Sequence, residues 1–198
     1  MNMFLDSVPT SLKIAGTEYK IHTDYRVWIK YQLLLFDFCE GDDDAEELFN
    51  KIVDMVFDGK KPPKRYANET TEQIMWFYRC GKNMPKSSGK EKDIFSYEHD
   101  DGYIAAAFRQ QYQIDLDTTK LHWWKFYAYF LSLQDNTEIV KIMGYRSVDV
   151  SSKMPAAQRN FYEKMKKHYK LPLKKSVEEK CTRIEDALLN GESVVDLL

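Results

Sequence analysis

The fold depends on one unusually aromatic stretch of the chain. It reads Leu121-His122-Trp123-Trp124-Lys125-Phe126-Tyr127-Ala128-Tyr129-Phe130-Leu131 and holds two of the four tryptophans and four further aromatic rings. On a helix, five large side chains of this stretch share one wide face: Trp123, Phe126, Tyr127, Phe130 and Leu131. Trp124 lies on the flank of that face, and Asp117 and Thr118 precede the stretch as candidate helix caps. A helix this apolar is not stable alone in water, so we predict that it is buried in the protein's own core or against a partner.

Short segments with helical periodicity fill most of the remaining chain. They predict helices over residues 24–38, 45–58, 70–80, 100–112, 137–144, 155–169 and 177–190. Residues 11–22 alternate apolar and polar side chains around Ala15-Gly16-Thr17, which predicts a β-hairpin that needs the helices for stability. The predicted fold class is therefore mainly α, a multi-helix bundle with a short N-terminal β-hairpin. We expect a helical core domain over residues 1–146 and a more polar C-terminal helical arm over residues 147–198.

The charge is nearly balanced overall but uneven along the chain. With 29 basic and 31 acidic residues the formal net charge is −2, which argues against a general nucleic-acid-binding protein. The segment 40–47 is acidic, and we interpret its run Asp42-Asp43-Asp44 as the cap of the following helix in preference to a cation site. The basic residues 164–175 are interpreted as the solvated face of an amphipathic helix. A nucleic-acid patch, or contact with an acidic partner surface such as residues 42–47 of another subunit, stays open for them.

The cysteine content and the hydropathy indicate a cytoplasmic protein. Cys39, Cys80 and Cys181 are odd in number, far apart and without metal-ligand spacing, so we expect reduced thiols. No basic segment followed by an apolar run opens the sequence, and no stretch of about 18 apolar residues occurs. We therefore expect neither a signal peptide nor a membrane-spanning helix.

The sequence lacks the residue patterns that most enzymes and metal sites need. Its four histidines lie in different segments, without an HExxH pair or a Cys–His pair at ligand spacing. We interpret His122 as a helix-start histidine bonded to backbone, and residues 98–101 as a helix cap rather than metal ligands. The polar segment 81–90 lacks the spacing of a phosphate-binding loop. A non-enzymatic protein without metal or cofactor is predicted.

Five short motifs, in order along the chain, resemble a known protein family. They are Ile21-His22-Thr23-Asp24-Tyr25-Arg26-Val27-Trp28, Phe77-Tyr78-Arg79-Cys80-Gly81-Lys82, Tyr103-Ile104-Ala105-Ala106-Ala107-Phe108-Arg109-Gln110-Gln111-Tyr112, Leu121-His122-Trp123-Trp124-Lys125-Phe126 and Lys141-Ile142-Met143-Gly144-Tyr145-Arg146. In these motifs the chain resembles a family of bacteriophage proteins named for gene product fifteen of tailed phages of Gram-positive bacteria and their prophages. The resemblance covers most of the chain and supplies no catalytic residues.

The resemblance implies a role in building the long non-contractile tail of a siphovirus. Genes of this family typically lie between those for the major tail protein and the tape measure protein, a position similar to that of tail assembly chaperones. The implied function is a cytoplasmic chaperone that binds the tape measure protein, helps to recruit subunits of the tail tube and is absent from the mature virion. We expect it to form homo-oligomers. The alternatives are a structural tail component retained in the virion, such as a tail completion or connector protein, and a small nucleic-acid-binding regulator that uses residues 164–175.

A chaperone for a long helical chain needs apolar or aromatic grooves that accept amphipathic helices. The candidate partner-binding residues come from the aromatic helix and from the arm: Trp123, Trp124, Phe126, Tyr127, Phe130, Phe161, Met165 and Tyr169. Burying one large aromatic ring contributes about 1.5–3 kcal/mol, so a few exposed rings suffice for micromolar binding. Large aromatic residues are more often core than interface, so both roles stay open for residues 121–131.

Overall fold

Seven α-helices and one β-hairpin make up the residues that the computed structural model describes, which are 6–38, 45–82 and 94–172. The elements are β1 (Ser11–Ile14), β2 (Thr17–Lys20), α1 (Tyr25–Phe38), α2 (Ala45–Val56), α3 (Ala67–Tyr78), α4 (Asp101–Tyr112), α5 (Trp123–Leu131), α6 (Glu138–Ser147) and α7 (Ala156–His168). A single-turn 3-10 helix, Lys64–Tyr66, precedes α3. The mainly α fold class with an N-terminal hairpin is confirmed. The predicted helix 177–190 and most of the polar segment 81–90 lie outside the described residues.

The hairpin closes through a two-residue turn in which Gly16 suits its backbone conformation and Ala15 adopts one that is uncommon for alanine. β1 and β2 are antiparallel, with Ile14 opposite Thr17. The two turn residues, Ala15 and Gly16, both have positive φ, 48° and 77°, as in the type I′ turn that matches the twist of a hairpin. The backbone N–H of Ala15 donates to Oε1 of Glu69 at 2.8 Å. The first turns of α3 therefore hold the hairpin turn in place.

One face of the hairpin is buried against the helices, as its alternating pattern predicts. Leu12, Ile14 and Tyr19 are at most 5% exposed. Beyond β2 the chain runs beside the end of α2, where the backbone N–H of His22 donates to the carbonyl of Val56 at 2.8 Å. An isolated two-stranded hairpin is marginal in water. These contacts with α2 and α3 give it the apolar support that it needs.

The core is built around Phe126, near the middle of α5, which is fully buried. Its ring stacks on Tyr25 of α1 at 4.5 Å and on Phe108 of α4 at 5.0 Å between ring centroids. Trp123 and Phe130 of α5 stack on the same ring at 5.8 and 6.3 Å. Since Phe126 touches α1 and α4 at once, the three helices share one aromatic core.

A second group of rings joins α1 to α3. The ring of Trp28 lies 4.4 Å from that of Phe77, and Tyr31 lies 5.1 Å from Tyr78. The indole N–H of Trp28 donates to the carbonyl of His22 at 2.8 Å, so the buried indole leaves no polar atom without a partner. Together with the stack on Phe126, these contacts bury one face of α1 along its first two turns.

The end that the sequence predicts for α6 is wrong. Gly144 was expected to stop this helix, but α6 continues to Ser147. Glycine in a helix costs about 1 kcal/mol, which the burial of Ile139 and Ile142 on the same helix outweighs. Ile139 and Ile142 are fully buried on this helix, and Val140 is half-buried against the core.

Candidate partner-binding surface

Helix α5 is a core helix. Trp123, Trp124, Phe126 and Phe130 are at most 5% exposed. For these four predicted partner-binding residues the alternative between core and interface is therefore decided in favour of the core, and they offer no surface to a partner. Tyr127, the fifth of them on this helix, is half-buried.

Two residues of α5 have the opposite burial to the one that the sequence predicts. Trp124, expected on the flank, is 2% exposed, whereas Leu131, expected on the buried face, is 59% exposed. The reason is that the carboxyl end of α3 covers the Trp124 side. The indole N–H groups of Trp124 and Trp123 donate to the carbonyls of Phe77 and Tyr78, both at 2.8 Å. Both carbonyls belong to the last turn of α3, and that of Phe77 also accepts from the backbone N–H of Cys80 at 2.9 Å.

Gly81 allows this close approach of α3 to α5. Its φ is +67°, and a Cβ atom built on it would lie 3.1 Å from Cη2 of Trp124. Both the left-handed backbone and the contact distance favour glycine. The motifs over residues 77–82 and 121–126, distant in sequence, thus form one buried contact.

His122 begins α5 as its N-cap. Its Nδ1 accepts from the backbone N–H of Trp124 at 3.1 Å, and its Nε2 lies 3.0 Å from the carbonyl of Pro9. This geometry requires the neutral ring with the proton on Nε2. Burial lowers the pKa of His122, in the direction that favours this neutral form. The interpretation of His122 as a helix-start histidine bonded to backbone is confirmed, whereas Asp117 and Thr118 do not cap α5.

Arg146, at the end of α6, holds the start of α4 and the end of α7 together. Its two terminal nitrogens donate to both carboxylate oxygens of Asp100 at 2.6 and 2.9 Å, and the two side chains are 9% and 2% exposed. Its Nε donates to the carbonyl of Tyr169 at 2.7 Å. The backbone N–H of Ser96 also donates to Asp100, at 2.8 Å. A buried carboxylate needs such partners, so Asp100 holds Arg146 in place. Arg146 in turn binds the end of α7 through the carbonyl of Tyr169.

Four aromatic side chains, two exposed and two half-buried, gather beside this cluster where α6, α7 and the start of α4 meet. We call this surface the arm face and define it by Tyr103, Tyr145, Phe161, Met165 and Tyr169. The ring of Tyr145 lies 5.9 Å from those of both Phe161 and Tyr169. Phe161 is 47% and Tyr103 41% exposed. Three predicted partner-binding residues, Phe161, Met165 and Tyr169, therefore lie on an accessible surface.

Helix α7, which supplies Phe161 and Met165 to the arm face, lies in a strongly cationic segment. Residues 156–170 carry five basic residues and one acidic residue. None of these charged side chains forms an ion pair anywhere in the described part of the chain. The three bases of the last turn, Lys166, Lys167 and His168 when protonated, interact favourably with the helix dipole. An aromatic patch surrounded by uncompensated cations fits an amphipathic partner that carries acidic residues.

A second concave feature lies between α1 and α4, and we call it the α4 pocket. Its volume is about 300 Å³. Tyr25, Tyr97 and Phe126 supply buried rings to its lining, and Gly102 and Ala105 of α4 form one wall.

Charged side chains stand around the α4 pocket. They are Arg26, Asp101 and Asp117. Arg26 is already engaged, since it pairs with Asp24 at 3.2 Å and donates to the carbonyls of Leu116 and Asp117. The pocket is thus apolar inside, with two acidic side chains beside it.

The described residues hold neither a metal-ligand cluster nor an ionised thiol. Residues 6–38, 45–82 and 94–172 contain no cluster of three or more His, Cys, Asp or Glu side chains that could hold a metal ion. Burial raises the pKa of the Cys80 thiol to about 12, so this thiol stays protonated at neutral pH. No helix in those same ranges is long and apolar enough to cross a membrane.

Sequence reasoning missed two of the five residues of the arm face, Tyr103 and Tyr145, and all of the α4 pocket. Tyr103, Tyr145 and Phe161 belong to three different helices, so no single periodic pattern groups them. Arg146 pairs with Asp100 from 46 positions away, a separation that local spacing does not predict. Signals that could have found them are the motifs over residues 103–112 and 141–146, since two of the five motifs contribute tyrosines to this one surface.

Comparison with known proteins gives one family. A family model described as Bacteriophage Gp15 protein matches residues 4–171. No curated protein and no solved structure matches.

Proposed function

The chain belongs to the Bacteriophage Gp15 family, and from that premise we propose that it is a tail assembly chaperone that binds the tape measure protein and helps to recruit subunits of the tail tube. Membership in the family supports a structural or assembly role in a phage. The proposed role includes a non-enzymatic mode of action in the cytoplasm of the host cell and absence from the mature virion.

The observation that carries the proposal is the exposure of the arm face beside a filled core. Most rings of α5 are buried by packing within the chain, whereas Phe161 is 47% exposed, so about half of its surface is in contact with water. Exposed apolar side chains grouped in one place mark an interaction surface more often than scattered ones do. A tape measure protein is a long helical chain with apolar stripes, and the arm face offers such a helix rings to pack against.

The charge of the arm face suits a chaperone that must release its client. Contacts between a cationic surface and acidic residues speed association and weaken with salt. Burying one or two aromatic rings contributes about 1.5–3 kcal/mol each. Two rings supply at most about 6 kcal/mol of the roughly 8 kcal/mol that micromolar binding needs, so a contact of this size fits transient assembly.

The proposal is tested by co-expressing the full chain with the protein encoded just downstream, followed by affinity pull-down and size-exclusion chromatography. We expect a soluble stoichiometric complex, and a downstream protein that aggregates when expressed alone. Phe161→Asp should reduce the recovered partner at least about tenfold, the loss of one buried ring. Leu131→Asp is the matched control, because Leu131 is a more exposed apolar residue outside the arm face.

Two results would count against a chaperone. One is a downstream protein that is equally soluble alone and forms no complex. The other is recovery of the chain in purified virions by mass spectrometry, which would favour a structural tail component such as a completion or connector protein.

A further inference from the structure

The α4 pocket has room and chemistry for a large side chain from another molecule. Its volume of about 300 Å³ is at the lower end of the ~300–1,000 Å³ typical of ligand pockets, which suits one or two side chains. The wall at Gly102 is open, because a Cβ atom built there would meet no atom within 4 Å. The pocket can therefore accept an aromatic ring without rearrangement of α4.

The charge around the α4 pocket selects what can enter. Asp101 and Asp117 are exposed and make no ion pair within the described residues. Arg26 is held by Asp24 and by backbone carbonyls. An apolar side chain that arrives with neighbouring cations would therefore find both a ring-lined cavity and two unpaired carboxylates.

The chain itself carries a segment with these properties. Helix α7 exposes Phe161 in a segment with five basic residues against one acidic residue. Lys164 follows Phe161 by one helical turn and is exposed, so ring and cation lie on the same side of the helix. Both charge surpluses, the acidic one at the α4 pocket and the basic one on α7, are left uncompensated within the described residues.

The two surfaces also adjoin each other in a way that allows mutual docking. The guanidinium of Arg146 binds both Asp100, which precedes Asp101 at the α4 pocket, and the carbonyl of Tyr169 at the end of α7. A surface with adjoining complementary halves can pair with itself about a two-fold axis, so that each contact is made twice.

We propose that the α4 pocket binds α7 of a second copy of this chain, with the Phe161 ring inserted and the lysines of α7 facing Asp101 and Asp117. The product is a symmetric dimer in which each copy gives one helix and receives one. The dimer buries the same Phe161 ring that the proposed function offers to the tape measure protein, so on one copy the two contacts exclude each other.

The test is sedimentation equilibrium on the purified full chain, with the dimer dissociation constant as the readout. Gly102→Phe fills the α4 pocket from its own wall and should raise the dissociation constant at least about tenfold, the equivalent of losing one buried ring. Gly144→Phe is the matched control, since Gly144 is also helical with no atom within 4 Å of its Cβ position and does not line the pocket. It should leave the dissociation constant within about twofold of the wild-type value.

A charge exchange separates pairing from simple loss of structure. Asp117→Lys and Lys164→Glu should each weaken the dimer several-fold, and the double variant should recover most of the loss because the signs are complementary again. Raising the salt concentration should weaken the wild-type dimer. A monomeric wild-type chain at high micromolar concentration would overturn the proposal, as would a Gly102→Phe variant that dimerises like wild type. Failure of the pull-down with the downstream protein, in contrast, would leave this dimer unaffected.

Discussion

Helices α5 and α7 are both rich in aromatic residues, yet one is the centre of the core and the other lies at the surface. In α5 the only charged side chain is Lys125. Its large rings are at most 5% exposed, except those of Tyr127 and Tyr129, which are half-buried. In α7 the rings share the helix with five charged side chains, and no residue is buried. Aromatic content alone therefore does not decide burial. The number of charges that burial would desolvate decides it.

The largest expected difference between the two helices is the loss of stability when one phenylalanine is truncated to alanine. Phe126→Ala should lower the free energy of unfolding by about 3–5 kcal/mol, because the cavity would open between α1, α4 and α5. Phe161→Ala should change it by no more than about 0.5 kcal/mol, since half of that ring already faces water. Urea denaturation followed by circular dichroism measures both, and losses of equal size would contradict the division into core and surface.

The next test concerns Arg146, which joins the end of α7 to the start of α4. Arg146→Met leaves the buried carboxylate of Asp100 without its cation and should cost about 3–5 kcal/mol. Lys61→Met removes an exposed pair with Asp54 and should cost less than about 1 kcal/mol. Thermal unfolding ranks the two variants. Adding Asp100→Asn to Arg146→Met should restore part of the stability, and no restoration would mean that the ion pair is not the reason for the loss.

Two buried threonines differ in whether their hydroxyl has a hydrogen-bond partner, and we expect smaller changes in stability from them. The hydroxyl of Thr70, beside the hairpin, is buried and is the one buried side-chain polar atom in the described residues that lacks a hydrogen-bond partner. The hydroxyl of Thr137, at the start of α6, donates to the carbonyl of Gln134 at 2.7 Å. Thr70→Val should raise the free energy of unfolding by about 1 kcal/mol and Thr137→Val should lower it by about the same amount. Equal signs in urea denaturation would show that the hydroxyl of Thr70 is satisfied in solution.

The smallest expected effect is a pH dependence from the N-cap of α5. Burial lowers the pKa of His122 below its ordinary value near 6.5, so the unfolded chain binds the proton more readily than the folded one. Stability from this group is therefore complete above about pH 6.5 and decreases as the pH falls below that value. His122→Asn keeps a capping oxygen but cannot titrate, so its melting temperature should fall less between pH 7.5 and 5.5 than that of wild type. Parallel pH profiles for the two proteins would contradict the assignment.

The sequence was sufficient for features that depend on neighbours along the chain. Alternation of Leu12, Ile14 and Tyr19 predicted the hairpin and its buried face, and helical spacing predicted the described helices. The position of His122 just before Trp123 was enough to interpret it as a helix-start residue. Each of these depends on interactions within a few positions, which periodicity and capping rules describe.

Features that depend on distant elements were not predictable in the same way. Trp124 is buried because the end of α3 covers it, and α6 continues through Gly144 because Ile142 packs in the core. The arm face joins Tyr103, Tyr145 and Phe161 from three helices, and the sequence showed only the part on α7. Tertiary packing overrides local preference at such positions.

The central claim is that α5 is core and that the arm face is the surface that partners contact. Hydrogen–deuterium exchange on the full chain, alone and in complex with the protein encoded downstream, tests both halves in one measurement. We expect the amides of α5 to exchange slowly in the free chain and to stay unchanged in the complex, while α6 and α7 gain protection. Fast exchange of α5 in the free chain, or new protection confined to α5 in the complex, would contradict the account.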